Sequence, residues 1–415
     1  MTQKAIVIGG GVIGLSCAFY LRKKGLEVTL LEKDQFGNAS SWGNQGWICP
    51  TLHEPVPAPG LVGDSLKWLM KKDSPLYIKP TAGPQLSGWL AQFMKYCNKR
   101  DFNYGKDALL TLSKSTLSLY DSLEREGLDM EIHRNGFLFT FFDDQQLQQS
   151  FDKFESNWTN YGHNKPTMLT KEEVKKLEPN ITRDITGGIF LNEQRHVRPD
   201  TVTAAFYDWL KSSGAELHSN TEVTNVEYEG STFKAVQTNE GLIEADICVV
   251  TSGVWSGSLA KQLNYSLPLQ AGKGYSITIS NPNLTFNRPI YLGDSKAGIS
   301  PFKDQVRIGG TMELSGINTN LDKKRVKSLR ESVSKYLSEK LYGETEVEWT
   351  GMRPMTPDGL PVIGSIPDFN NVFIATGHGM VGLSMAPVTG EIISDLVCNG
   401  ETEYDISAFL PERFS

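Results

Sequence analysis

The chain has 415 residues, 39% hydrophobic and 21% charged, with a net charge of −7 and a pI near 5.5. That length holds two or three domains with a large core, the balance is that of a soluble globular protein, and the acidic charge removes electrostatic support for nucleic-acid binding. Cys17, Cys49, Cys97, Cys248 and Cys398 form no C-x-x-C pair and the six histidines show no zinc spacing, so a reducing compartment and no metal site are expected.

Residues 5–8 are a short apolar run, which predicts a strand buried on both faces. Gly9, Gly11 and Gly14 follow at G-x-G-x-x-G spacing, 15–24 reads as a helix stopped at Gly25, and 26–31 as a second strand ending at Glu32. In such a unit the first glycine makes the tight turn, the second admits a pyrophosphate, and the third lets the helix sit on the sheet. The helix N-terminus offers free N–H groups to phosphate, and the acid is placed to accept from ribose hydroxyls. A dinucleotide site is predicted; the motif alone does not choose NAD or FAD. Residues 5–21 carry no charge, but they fall short of the ~20 a membrane span needs. No small-residue cleavage site follows them either, which argues against a secretory segment.

Residues 34–50 form a Gly-, Ser- and Asn-broken loop suited to lie along a polar ligand, and 54–60 (EPVPAPG) is an extended proline-rich link. Residues 61–106 carry eight basic and three acidic side chains, a net +5 against the rest of the chain. Leu86, Trp89, Leu90, Phe93, Met94 and Cys97 share one helical face there. That face belongs either in the core, the preferred reading, or on a basic, Trp-bearing surface for anionic lipid. One long helix is predicted over 107–127, a hairpin over 131–142 around Asn135-Gly136, and a capping box at Thr170 and Glu173. A helix follows at 201–213, then three short strands over 221–250, the last ending in Thr251-Ser252-Gly253 before Val254-Trp255, like a second ligand-side turn. Antiparallel sheet is expected over 267–314 and a basic helix over 321–342. Near the C-terminus a buried strand, 372–376, breaks into Gly377-His378-Gly379 and a helix, a second N-terminus able to face an anion.

The first motif, the Ser40-Ser41…Asn44-Gln45-Gly46 loop, the Thr251-Ser252-Gly253 turn and the ending GMRPMTPDGLPVIG (351–364)…ATGHGMVG (375–382) stand in that order. With these motifs the chain resembles, over nearly its full length, the FAD-dependent amine and amino-acid oxidoreductases, which include glycine oxidase, sarcosine oxidase and D-amino acid dehydrogenase. Residues 67–80, KWLMKKDSPLYIKP, look most like the bacterial D-amino acid dehydrogenase branch. The resemblance implies an α/β fold: a Rossmann-type FAD-binding domain built from 1–50, 198–262 and 345–415. An antiparallel-sheet (α+β) substrate domain would take 51–197 and 263–344.

Carried over by position, the resemblance gives Gly9, Gly11, Gly14 and Glu32, with Val12 and Ile13 in the same turn, to the ADP half. Lys33, Ser40 and Ser41 would line the phosphate and ribityl region, Gln45 and Gly46 would lie near the isoalloxazine, and Val223 would meet the adenine side. Ser252 and Gly253 would belong to the second turn, and Gly377, His378, Gly379, Met380, Val381, Gly382 and Leu383 would face the pyrimidine end. Arg353 matches the substrate-carboxylate arginine, with a structural salt bridge as the plainer reading. Tyr275 either bonds substrate and closes the pocket or is an ordinary sheet tyrosine, and His53 has no assigned role. Sarcosine oxidases attach flavin to a cysteine in the C-terminal motif; here Gly351-Met352-Arg353 has none, so FAD is expected to be non-covalent. The implied reaction is oxidative deamination of a D-amino acid to a 2-oxo acid and ammonia, with a quinone or other acceptor. A glycine/sarcosine-type oxidase and a D-hydroxyproline dehydrogenase are the alternatives. The expected location is cytoplasmic, with peripheral inner-membrane contact through 61–106 if that segment faces lipid.

Overall fold

The computed structural model of the protein describes residues 2–61, 76–78, 83–182 and 184–414. Its first layer is a six-stranded sheet. In spatial order the strands are Glu216–His218, Glu27–Leu31, Lys4–Ile8, Ile247–Val250, Val372–Thr376 and Val362–Ser365. The first five run parallel and the last is antiparallel to its neighbour. Alternate residues of a strand face opposite sides, and here both sides are covered. Ala5 and Val7 enter one core with helices Val12–Lys23, Pro199–Ser212 and Gly382–Asn399, while Ile6 and Ile8 enter another beneath helix Ser256–Gln262 and a three-stranded sheet. Burial on both faces is why the run is apolar without interruption.

The second layer is a nine-stranded mixed sheet. Its long strand Gln270–Ser280 lies antiparallel between Gln305–Leu314 and the edge strand Thr345–Met355. Strand Leu76–Ile78 joins the far end of Gln305–Leu314 in parallel. Tyr275, Ile277 and Ile279 pack on one face of the sheet with Val326, Leu329 and Val333 of helix Lys323–Ser334.

Several expectations are corrected. Strand Thr345–Met355 belongs wholly to the second sheet, so the boundary drawn at 344/345 cuts through that sheet. Residues assigned to the substrate domain also join the first layer: Leu109, Leu112, Tyr120 and Leu123 sit in the core of the first and last helices. The single helix over 107–127 is two, Lys99–Leu112 and Thr116–Arg125, separated by a 3₁₀ turn at Ser113–Ser115. There the Ser113 hydroxyl donates back to Leu109 O at 2.6 Å, a competing local bond that bends helices. The hairpin over 131–142 does not form. Ile132–His133 pairs with Arg195–Val197 and Phe137–Phe141 with Gly187–Leu191, in different sheets, so the Asn135-Gly136 turn hands the chain from one sheet to another. The basic helix spans only Lys323–Ser334.

The capping box at Thr170 and Glu173 is present with both bonds made. Of the basic segment, residues 62–75 and 79–82, including Trp68 and its flanking lysines, lie outside the described residues. On helix Gly83–Tyr96, Leu86 and Trp89 are buried with Leu314 and Met355, while Met94 is exposed. Among the described residues no helix is long and apolar enough to cross a membrane.

Candidate active site

At the C-terminal ends of the parallel strands, where ligands of open α/β sheets bind, lies a cleft of about 470 Å³. Two helices begin at it. Neither Val12–Lys23 nor Gly382–Asn399 is capped by its own N-cap side chain or has an acid in its first turn; Val12 N donates to Ser41 Oγ at 3.0 Å, and both helices turn their positive dipole ends to the same cleft. The turn before the first helix is tight in the manner the spacing predicts. Gly9 has φ of 112°, and a Cβ there would meet the Ser252 backbone, while one on Gly14 would collide with Gly9 O. The hydroxyls of Thr251 and Ser252 both donate to Ile8 O, at 3.0 and 2.8 Å, which locks the second turn against the first.

The expected residues Gly9, Gly11, Val12, Ile13, Glu32, Lys33, Ser40, Ser41, Val223, Ser252, Gly253, His378, Gly379, Gly382 and Leu383 all line this cleft. Gly14 stands behind it as the contact between helix and turn. Gln45, Gly46, Gly377, Met380 and Val381 are not among its walls. Met380 is exposed beside it, and Gln45 lies over Gly309 of the second sheet. Glu32 accepts from Gly10 N at 2.7 Å and Asp34 N at 2.9 Å, which fixes its carboxylate at the rim. Lys33 Nζ stands 3.6 Å over the Trp255 ring, two cleft residues in cation–π contact.

His378 is buried and neutral: burial pushes its pKa down to about 3. Its Nε2 meets Thr389 Oγ1 at 3.0 Å and its Nδ1 has no partner. Sequence reasoning missed Thr221, Glu222, Thr224, Asn44, Gln262 and Pro354 as cleft residues. Asn44 and Pro354 stand inside the sequence motifs, which give neither a role; Thr221, Glu222 and Thr224 flank the expected Val223, and Gln262 arrives through packing of helix Ser256–Gln262.

Arg353 sits next to Pro354, on strand Thr345–Met355. It is half-buried, and among the described residues it has no carboxylate partner; its Nη1 donates to Thr311 O at 3.0 Å. Desolvation lowers its pKa to about 10, which leaves it a cation at neutral pH. The guanidinium occupies the space a side chain on Gly274 would fill. Among the described residues the salt-bridge reading of Arg353 therefore has no acid to support it.

Tyr275 is not brought to Arg353. Gly272 is the cross-strand partner of Arg353 and Thr350 that of Tyr275, so alternation sends the two side chains to opposite faces. The Tyr275 hydroxyl donates to Glu313 Oε2 at 2.7 Å on the side of helix Lys323–Ser334. Burial and that bond push its pKa up. The expectation that Tyr275 closes the pocket is corrected accordingly. His53 is also internal, with Nε2 at 3.0 Å from Ser384 Oγ.

Two helix starts, a glycine turn that admits no side chain and a rim carboxylate define a site for an extended, phosphate-bearing dinucleotide. The chain belongs to the FAD dependent oxidoreductase family, whose model matches residues 4–396. It is thus an FAD-dependent oxidoreductase, and the residues present fit that cofactor. It is 30% identical to a D-amino acid dehydrogenase of Vibrio vulnificus over 422 aligned positions, covering 97% of each chain. It is 28% identical to the Helicobacter pylori enzyme of that name, covering 100% of this chain and 99% of that one. Its fold is that of Geobacillus kaustophilus glycine oxidase (TM-score 0.78, 22% identity, covering 99% and 98% of the two chains). An L-proline dehydrogenase from P. horikoshii shares it too (TM-score 0.77, 22% identity, 100% and 98%).

Proposed function

We propose that this protein oxidises D-amino acids to 2-oxo acids and ammonia and passes the electrons to a quinone or similar acceptor. The observation that carries the reading is the half-buried Arg353, which has no carboxylate partner among the described residues and is held over Gly274 beside the cofactor cleft. A planar guanidinium with free N–H groups binds a carboxylate through two parallel bonds, and its solitary charge is costly unless a ligand answers it. Full-length similarity to proteins named D-amino acid dehydrogenase supports the substrate class.

FAD would rest its ADP half on Gly9–Gly14 and Glu32 and its ring end near His378–Leu383, and when bound it supplies the acceptor for the hydride that leaves Cα. Arg353 holds the substrate carboxylate and so fixes which Cα substituent points into the cleft, an orientation effect. The uncapped start of helix Gly382–Asn399 stabilises negative charge gathered at that end. The neutral His378 adds no competing cation there. None of the five cysteines lines the cleft, which supports non-covalent binding. A cytoplasmic enzyme touching the inner membrane through 61–106 would be placed to reach a quinone.

The test is anaerobic mixing with a panel of D- and L-amino acids, glycine and sarcosine, following flavin bleaching. Bleaching by D-amino acids is expected; bleaching by glycine or sarcosine alone would replace the reading with an oxidase-type one. Arg353→Ala should stay yellow and lose substrate affinity by about 1.5–3 kcal/mol per charged hydrogen bond. Unchanged affinity would sink the role given to Arg353.

A further inference from the structure

Strands Ala297–Pro301 and Gln305–Leu314 pair so that Gly298 stands directly opposite Gly309. A Cβ on Gly298 would collide with the Trp47 indole, and one on Gly309 with the Gln45 amide. Two paired glycines therefore receive two side chains, i and i+2, of the segment that follows strand Glu27–Leu31. Gly46 between them has φ of 75°, and its carbonyl accepts from Val197 N at 2.8 Å, which pins the loop in this register.

The hydrogen bonds then have a direction. Trp47 Nε1, which can only donate, donates to Ser300 Oγ at 2.8 Å, and Ser300 Oγ donates to Gln45 Oε1 at 2.8 Å. The reverse amide orientation would leave the Ser300 proton without an acceptor in a side chain that is fully buried. Gln45 Nε2 is consequently the free end. It is buried, it lies on the Gly309 side of the sheet, and it has no partner among the described residues. Ser276, the cross-strand partner of Gly309, has an unpartnered Oγ as well. Gly274 and Ser276 lie two apart on one strand and so share a face, which puts Gln45 on the face where the Arg353 guanidinium lies over Gly274. Buried donors are almost always matched, and the described residues supply no match here.

We propose that Gln45 gives a fixed amide N–H to an acceptor oxygen in the reaction space beside Arg353, and that Ser300 and Trp47 are positioning residues that set which way the amide faces. The acceptor is a carbonyl of the flavin ring or the carboxylate of the substrate; the second source rests on the amino-acid reading above. The experiment uses the FAD-loaded protein, with Gln45→Met, Ser300→Ala and Ser300→Thr. Two quantities are read: the flavin midpoint potential and absorption spectrum without substrate, and the Kd of benzoate as a carboxylate probe.

If the ring carbonyl is the acceptor, Gln45→Met shifts the potential and spectrum in the absence of any carboxylate. If the substrate is, the spectrum is unchanged and benzoate weakens about tenfold, the loss of one hydrogen bond to a charged group. In either case Ser300→Ala moves the same quantity in the same direction, and Ser300→Thr, which keeps the hydroxyl, restores it. Gln45→Met that leaves both quantities at wild type, or Ser300→Ala that leaves both there while Gln45→Met moves one, overturns the proposal. Failure of the amino-acid reading shows separately, as unchanged benzoate affinity in Arg353→Ala while the substrate-free flavin still responds to Gln45→Met.

Discussion

At the scale of single residues, the site depends on side chains that are absent. Gly274 makes room for the Arg353 guanidinium, and the strand beside it is irregular where the arginine is held. The pairing register slips between Lys273↔Glu313 and Tyr275↔Gly310, a bulge of the kind found next to active sites. Within it Thr311 has φ of 63°, a left-handed conformation that is uncommon for a β-branched residue, and its carbonyl accepts from Arg353. A methyl on Gly274 must push the guanidinium aside. Gly274→Ala is therefore expected to retain FAD and to raise KM for amino-acid substrate roughly 10- to 100-fold, equivalent to one charged hydrogen bond. Steady-state kinetics on FAD-saturated protein checks this; a KM at the wild-type value would show that Arg353 is not held where Gly274 permits it.

At the scale of elements, the last helix carries a proline in its interior, Pro387. Proline has no N–H for the carbonyl four residues earlier, which is Leu383, at the cleft. That carbonyl accepts instead from the Tyr120 hydroxyl at 2.7 Å, and the neighbouring Ala386 O accepts from Ser16 of the first helix at 2.8 Å. Gly390 lets the two helices approach, since a Cβ there would press on Ser16 and Tyr20. The two helix starts that face the cofactor are thus tied to each other by the irregularity itself. Tyr120→Phe leaves a buried carbonyl unsatisfied and should cost about 1–3 kcal/mol, read as a lower denaturation midpoint at unchanged m-value. A wild-type midpoint would mean that Leu383 O is satisfied by other means. The break at Ser113–Ser115 belongs to the same design, because it sets the helix that carries Tyr120 against the last helix.

At the scale of the whole molecule, four buried histidines, His53, His163, His196 and His378, couple folding to pH, and burial lowers the pKa of each. Burial pushes His53, His196 and His378 each down to about 3. In the unfolded chain such rings titrate near 6.5. Between those values the unfolded chain binds more protons than the folded one, so stability is full above about pH 6.5 and falls as pH drops below it. The slope is at most about 1.4 kcal/mol per pH unit per ring. Thermal melts from pH 7.5 to 5 should show Tm falling steeply below about pH 6.5. A Tm flat across that range would mean that these rings do not fold as buried neutral groups.

What the sequence by itself determined is what local physics dictates. Gly9 and Gly14 announce a turn only glycine can make. Thr170 and Glu173 announce their own cap, and the strand breaking at Gly377–Gly379 announces the second helix start. With Glu32 the two glycine turns line much of the cleft. Tertiary structure decided what local signals leave open. Period-two alternation says that Tyr275 and Gly274 face opposite ways, but not which way the arginine lies; helix Lys323–Ser334 covers the tyrosine's face and leaves the other to Arg353. Asn135-Gly136 signals a turn, but the strands it joins find partners far away in the chain. The glycines at 274, 298 and 309 look like ordinary sheet glycines in the sequence; only the paired strands show that each yields its space to Arg353, Trp47 or Gln45. Side-chain absence is invisible without the neighbour that fills it, which is why the glycine turn was legible in the sequence and the packing around Arg353 was not.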